Sequence, residues 1–228
     1  MSKKKIAIQG ELGAYSHIAA ENHYKDSEIK TCTTFEETFK QAYNDPSYKI
    51  VIPIENSLAG RVADIHYLLP KYKLQIHGEH FQAVDHNLLC KPDATISDIQ
   101  FVRSHAQAIG QCQNLITKKK FKPIISADTA GSAKDLAEGK DKTIAAIASE
   151  LSAKIYNLKI LEKNIEDEKG NVTRFLIMGK NIEQPEFKKE KKLNGKIHNK
   201  FSENEINQLI DLIKKAKKPV VYKGGGVK

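Results

Sequence analysis

The sequence predicts a two-lobed α/β protein with a cleft between its lobes. Three observations lead there. Apolar strands alternate with helical segments at the spacing of β-α-β units. A His-rich extended stretch near residue 80 breaks that rhythm, where the chain would cross from one lobe to the other. Residues 158–171 would then bring the last strand back to the first lobe. The 228 residues, 40% hydrophobic, suffice for one large domain or two small ones.

In order, Lys5–Gln9 reads as a short apolar strand and residues 10–13, Gly-Glu-Leu-Gly, as a turn. A helix follows to Tyr24, with Ser16 as its expected N-cap. Thr34–Tyr43 has helical periodicity through Phe35, Thr38, Phe39 and Ala42. Tyr48–Ile54 is β-branched and uninterrupted, as in a strand covered on both faces. A helix is predicted over Val62–Leu69, and one or two strands over Leu74–His86. Phe101–Arg103 is a strand, and Ser104-His105 open a helix to about Lys118. Pro123–Ala127 is a strand, and Asp128 starts a helix to Glu138. Thr143–Ile147 is a strand and Ala148–Tyr156 a helix. Leu158–Glu162 is extended, Asp167–Asn171 a polar turn, and Val172–Met178 the closing strand. Largely parallel sheets are expected.

Composition removes several function classes. The formal charge is +9, but residues 183–228 hold 12 lysines against 6 acidic residues, which leaves +3 to the rest. Aromatics are 7% and Trp is absent, so a nucleic-acid surface lacks support. No apolar run approaches the ~20 residues of a membrane span. Cys32, Cys90 and Cys112 form no close pair, which points to a reducing, cytoplasmic setting. Residues 10–13 are not a dinucleotide fingerprint and no phosphate-binding P-loop occurs, so no nucleotide cofactor is expected. His77 and His80 would face opposite sides of a strand, which does not suit a shared metal ion.

Four strand ends share a form: Gln9-Gly10, Glu55-Asn56-Ser57, Ser104-His105 and Asp128-Thr129. Crevices beyond strand carboxyl ends bind ligands in open α/β sheets, and helix N-termini there favour anions. Each alone is an ordinary helix start. Together with Thr173-Arg174 on a further strand, they point to a small anionic molecule. Thr173 and Arg174 face opposite sides if that strand is regular. Arg174 needs an anion if buried, and otherwise snorkels at the strand end.

Residues 5–179 resemble the catalytic domain of prephenate dehydratase and the similar arogenate dehydratases. The matching segments run in family order: 8–16, 52–66 (Ile-Pro-Ile-Glu-Asn-Ser-Leu-Ala-Gly-Arg-Val-Ala-Asp-Ile-His), 76–79, 104–107, 128–133, 145–150 and 171–176 (Asn-Val-Thr-Arg-Phe-Leu). The resemblance implies a two-lobed, periplasmic-binding-protein-like catalytic domain over 1–182. Lobe one would span about 1–80 and 160–182, and lobe two about 81–159. It implies loss of carbon dioxide and water from prephenate to give phenylpyruvate, without metal or other cofactor. Thr173 of the family's Thr-Arg-Phe run is the implied catalytic residue. A threonine hydroxyl is too weak an acid to ionise, so it would act as a positioned donor to the leaving oxygen. Glu55, Asn56, Ser57, Ser104, His105, Gln107, Thr129, Arg174 and Phe175 are the implied substrate-binding residues. The helix N-termini after Ser104 and Thr129 are the first choice for the carboxylates, with Arg174 as an ion partner. Glu55 suits orientation or the hydroxyl region. Arogenate as substrate, or a non-catalytic two-lobed receptor for small anions, are the alternatives. A homodimer is compatible with family habit.

Family members usually continue into a phenylalanine-binding ACT domain, which residues 183–228 do not resemble. Residues 183–200 are a Lys-rich linker. Residues 202–217 read as an amphipathic helix, with apolar Ile206, Leu209, Ile210 and Ile213. With the strand at 219–222 they resemble a short piece of acetolactate-synthase-like enzymes but carry no thiamine diphosphate motif. No thiamine cofactor and no phenylalanine site are expected.

Overall fold

Two sheets carry the fold of this computed structural model, which describes residues 3–181. The first sheet contains β1 (Lys5–Gln9), β2 (Glu28–Cys32), β3 (Tyr48–Asn56), the two-residue β4 (Gly60–Arg61), β5 (Gln75–Ala83) and β11 (Val172–Gly179). Its strands lie in the order β2-β1-β3-β11-β5, with β4 paired to β3. The second contains β6 (Asn87–Cys90), β7 (Phe101–His105), β8 (Lys122–Ser126), β9 (Ile144–Ala148) and β10 (Lys159–Glu162), in the order β10-β6-β9-β7-β8. The crossings between sheets fall at residues 84–86 and 163–171. The protein is thus a two-lobed α/β fold. The tail readings over 183–228, including the linker, the helix at 202–217 and the strand at 219–222, lie outside the described residues.

The sheets are mixed, which corrects the expectation of largely parallel ones. β1 pairs β2 and β3 in parallel, and β7 pairs β8 and β9 in parallel. β11 is antiparallel to both β3 and β5, and β6 is antiparallel to both β9 and β10. Parallel neighbours need a crossover helix, and each parallel run has them. β6 and β11 are instead the strands that arrive from the other lobe, so they enter the sheet reversed.

Helices cover both faces of the first sheet. α2 (Phe35–Asn44) and α3 (Ala63–Tyr72) bury Phe39, Ile50, Ile52, Ile65 and Met178 on one side. α1 (Tyr15–His23) buries Ile6, Ile8, Val51, Phe175 and Ile177 on the other. That two-sided burial is why residues 50–52, Ile-Val-Ile, form an unbroken apolar run. α2 is capped by Thr34, whose side chain accepts from the Glu37 N–H at 3.1 Å, while the Glu37 carboxylate accepts from the Thr33 N–H. Ser16 does not cap α1: Ala14 holds that position, and the Ser16 hydroxyl donates to the Gln9 carbonyl.

The second sheet packs against α6 (Thr129–Glu138) and α7 (Glu150–Ile155) on one side and α4 (Ala106–Gly110) and α5 (Gln113–Lys119) on the other. A single helix was expected from Ser104 to about Lys118. It is two, broken at Gln111-Cys112 by the returning crossing segment. The Asp167 carboxylate accepts from the N–H groups of Gln113 and Asn114 at 2.8 and 3.0 Å, capping the start of α5. The Asp167 N–H donates to the Gln111 carbonyl at 2.7 Å. Ser104 and His105 belong to the end of β7 and not to a helix.

The lobes touch where the 10–14 turn meets the start of α7. The hydroxyls of Ser149 and Ser152 both donate to the Gly13 carbonyl, at 2.6 and 3.0 Å, and the Tyr156 hydroxyl donates to the Leu12 carbonyl. Gly13 has φ +90°, and a Cβ there would lie 2.7 Å from the Ser152 Cα. Only glycine meets both demands.

Candidate active site

A cavity of ≈ 500 Å³ lies at the carboxyl ends of β1 and β7, beside the start of β11. Gly10, Asn56, His105, Gln107, Thr129, Thr173 and Phe175 all line it. Six of the expected site residues therefore reach one space: Asn56, His105, Gln107, Thr129, Thr173 and Phe175. They come from both lobes. His86, Gln111, Asn171, Tyr15, Arg61 and Asp64 line it as well, and the sequence reading had assigned none of these six a role.

Thr173 is fixed by a set of side-chain amides. The Asn56 carbonyl oxygen accepts from the backbone N–H groups of Leu58 and Ala59, at 3.0 and 2.8 Å. Those two donors settle which end of the amide is oxygen. Its nitrogen then donates to the Thr173 hydroxyl oxygen at 2.9 Å and to the Asn171 side-chain oxygen at 2.6 Å. Thr173 thus receives a hydrogen bond from Asn56, and its own proton is left to be donated elsewhere. The residue is nearly buried and its side chain shares the cavity face with Phe175, two positions on.

The amide chain continues across the crossings. Asn171 donates to the Gln111 side-chain oxygen at 3.0 Å, and His86 Nε2 lies 2.9 Å from that same oxygen. His86 Nδ1 faces the Tyr15 hydroxyl at 3.2 Å, and Tyr15 also donates to the Asp85 carbonyl at 2.7 Å. Burial holds His86 below the ordinary histidine range, against smaller opposing effects of Gln111, Glu166 and Asp85. Burial also pushes the Tyr15 phenol well up, so it stays protonated.

His105 caps α4. Its Nδ1 accepts from the Gln107 N–H at 3.3 Å, which leaves Nε2 as the protonated nitrogen of the neutral ring. Thr129 begins α6, but the Asp128 carboxylate already accepts from the Gly131 N–H at 2.6 Å. An anion therefore sits at that helix end, which makes it a poorer carboxylate site than expected.

Four expected residues do not face the cavity. Arg174 lies on the opposite face of β11, its Nε donating to Glu79 at 2.8 Å and its guanidinium 5.8 Å from the Phe81 ring centre. Glu55 pairs with Arg174 across β3–β11 and shares that outer side. Ser57 clamps the start of β11: its hydroxyl accepts from the Val172 N–H at 2.9 Å and lies 3.4 Å from the Gly170 carbonyl. Ser104 is fully buried and donates to the Ile147 carbonyl at 2.7 Å, tying β7 to β9. Strand alternation accounts for Arg174 and Glu55, and backbone hydrogen bonding for the two serines.

Among the described residues no group of three or more His, Cys, Asp or Glu side chains is placed to hold a metal ion. No described helix is long and apolar enough to cross a membrane. Cys32, Cys90 and Cys112 are buried free thiols. Burial pushes Cys112 up to about 12, so it is no nucleophile at neutral pH.

A two-lobed α/β protein with a hydroxyl-bearing strand end beside an amide-rich cleft is the class these features define. Residues 6–183 match the family model described as prephenate dehydratase, and the chain belongs to that family. It is 41% identical over 172 residues to a bifunctional N-acyl-homoserine lactone acylase/prephenate dehydratase of Komagataeibacter europaeus, covering 75% of this chain and 61% of the relative. It is 41% identical over 179 residues to arogenate dehydratase/prephenate dehydratase 2 of Arabidopsis thaliana, covering 78% and 47%. The solved prephenate dehydratase of Staphylococcus aureus superposes with a TM-score of 0.67 at 27% identity, covering 79% of this chain and 67% of that one. The chain spans about half to three fifths of the length of these curated relatives.

Proposed function

We propose that the protein is a carbon–oxygen lyase that converts prephenate to phenylpyruvate, carbon dioxide and water, a step toward phenylalanine. The observation that carries this reading is the bond from Asn56 to the Thr173 oxygen, which leaves the threonine proton for the cavity. In the reaction the ring carbon–carboxylate bond breaks and its electron pair enters the ring. The ring carbon–hydroxyl bond breaks at the far side and the hydroxyl leaves as water. Aromatisation drives both events, so the protein's work is to hold an anion and donate to the departing oxygen. Thr173 supplies that donor without ionising. His105, through Nε2–H, and Gln107 offer neutral donors to carboxylate oxygens, and Phe175 offers an apolar wall.

Arogenate differs from prephenate by an amino group in place of the keto group. The 41% identity to a protein named for both substrates supports testing it alongside. Three buried free thiols support a reducing, cytoplasmic setting. The test is a pair of turnover assays on the purified chain, prephenate to phenylpyruvate and arogenate to phenylalanine. Turnover of prephenate is expected. A folded protein that turns over neither substrate would favour a non-catalytic receptor for small anions.

A further inference from the structure

We propose that Gln111 is a positioning residue for this reaction. From the second lobe, its side-chain oxygen fixes the direction of the amide chain that ends on Thr173 in the first. The inference rests on the dehydratase reading for its chemistry but on hydrogen-bond bookkeeping for its direction.

The bookkeeping starts at a fixed point. Leu58 and Ala59 present two backbone N–H groups to one end of the Asn56 amide, so that end is oxygen. The Asn56 nitrogen must then meet acceptors, which makes Asn171 present its oxygen to Asn56 and its nitrogen to Gln111. Gln111 in turn must present oxygen, and that oxygen leaves His86 Nε2 as a donor. The neutral ring of His86 is therefore protonated on Nε2, with the Nδ1 lone pair toward Tyr15. Turning any one amide over would set two donors against each other in a half-buried or buried place, and such an unmade bond costs about 1–3 kcal/mol.

Gln111 is the member that makes the chain span the lobes. Asn56 and Thr173 sit on β3 and β11, Asn171 and His86 sit on the two crossings, and Gln111 sits at the break between α4 and α5. The break itself is held by Asp167 of the returning crossing. Without the Gln111 oxygen, Asn171 loses the acceptor that holds its nitrogen away from Asn56. The amide that pins Thr173 can then rotate. Gln111 acts through Asn171 and Asn56, and Thr173 remains the catalytic residue.

The experiment uses the full chain, with Gln111→Met to remove the acceptor at similar volume and Gln111→Glu to keep it. Prephenate kinetics and thermal melting would be measured for both, beside the unsubstituted protein and arogenate controls. A misdirected donor costs on the order of a hundredfold in rate, so Gln111→Met is expected to lower kcat by about that factor with KM within about twofold. Gln111→Glu is expected to retain at least tenfold more kcat than the Met variant, although its charge raises KM for an anion. Unchanged kcat in Gln111→Met, or a loss confined to KM in both variants, overturns the positioning role and leaves the dehydratase reading intact. Nitrogen NMR of His86 is the readout that needs no turnover: the Nε2–H tautomer is expected, and the Nδ1–H tautomer overturns the direction of the chain. An inactive but folded protein with the Nε2–H tautomer overturns the dehydratase reading instead and leaves the hydrogen-bond direction standing.

Discussion

The first lobe lays its main strands in the order β2-β1-β3-β11-β5 and the second in the order β8-β7-β9-β6-β10, so one plan is used twice. In each, three parallel strands are followed by a reversed strand that has just crossed from the other lobe, and a last strand pairs with it. The inserted strands differ in what they bring. β11 runs for eight residues and its start carries Thr173 and Phe175 into the cavity. β6 runs for four and is buried throughout, with Asn87 as its one polar side chain. Its contribution lies just before it, in His86. The lesson is that a strand entering from outside a lobe begins at the cleft, so its first residues are the natural place for chemistry. Both crossings exploit this, one with the catalytic hydroxyl and one with a supporting imidazole.

The comparison is broken most directly at Thr173. Thr173→Val keeps the shape and removes the hydroxyl, and loss of one aimed donor costs about 10²–10³ in kcat. A fall of that size with an unchanged melting temperature is expected. Retained turnover would mean that β11 contributes only shape, as β6 does.

Next in size is the lobe contact at Gly13. Gly13→Ala meets the Ser152 backbone and forces a left-handed φ, whereas Gly60→Ala meets only the φ of +78°, in open space. The left-handed penalty alone is roughly 1–2 kcal/mol. Gly13→Ala is therefore expected to destabilise by clearly more than Gly60→Ala in urea unfolding. Equal losses would show that the turn can move away from α7 without cost.

Acid provides a milder perturbation that reaches both crossings and α1. His86 and His17 are each held below the ordinary histidine value of 6.5, in both cases chiefly by burial, with Glu21 opposing at His17. The unfolded chain takes up these protons first, so stability is full above about pH 6.5 and is lost as pH falls from there toward the folded values. Each unit of depression is worth about 1.4 kcal/mol. Unfolding followed between pH 7 and 4 is expected to show that loss, and His86→Gln is expected to shrink it. A flat profile would mean the imidazoles reach solvent.

Much of this was legible in the sequence because two-sided burial writes itself as apolar runs. Residues 50–52 and 144–148 are the clearest. β2 was silent: of Glu28–Cys32 only Ile29 and Cys32 are apolar, since it is a sheet edge. The site was half legible. Strand alternation already put Arg174 opposite Thr173 and Glu55 opposite Asn56, and applied strictly it would have removed both from the cavity. Asn171 stood inside the recognised run without a role. Gln111 and His86 carried no local signal, because each meets its partners only through segments 25 or more residues away.

The smallest effect expected is at Arg174, and it sharpens the contrast between the two faces of β11. Its bond to Glu79 is 2.7 Å at the closest, but both side chains are more than two fifths exposed. Such a pair is worth at most ~1 kcal/mol after screening. Stacking against Phe81 adds a little more, by covering an aromatic at the edge of the sheet. Arg174→Met is therefore expected to leave KM for prephenate within about twofold and to lower stability only slightly, with the stability difference shrinking further in high salt. Glu79→Gln should mimic it, because the two side chains act as one clamp between β11 and β5. If KM instead rises tenfold or more in Arg174→Met while Glu79→Gln is neutral, the guanidinium turns to the substrate on binding. The outer face of β11 would then have to be counted with the cavity.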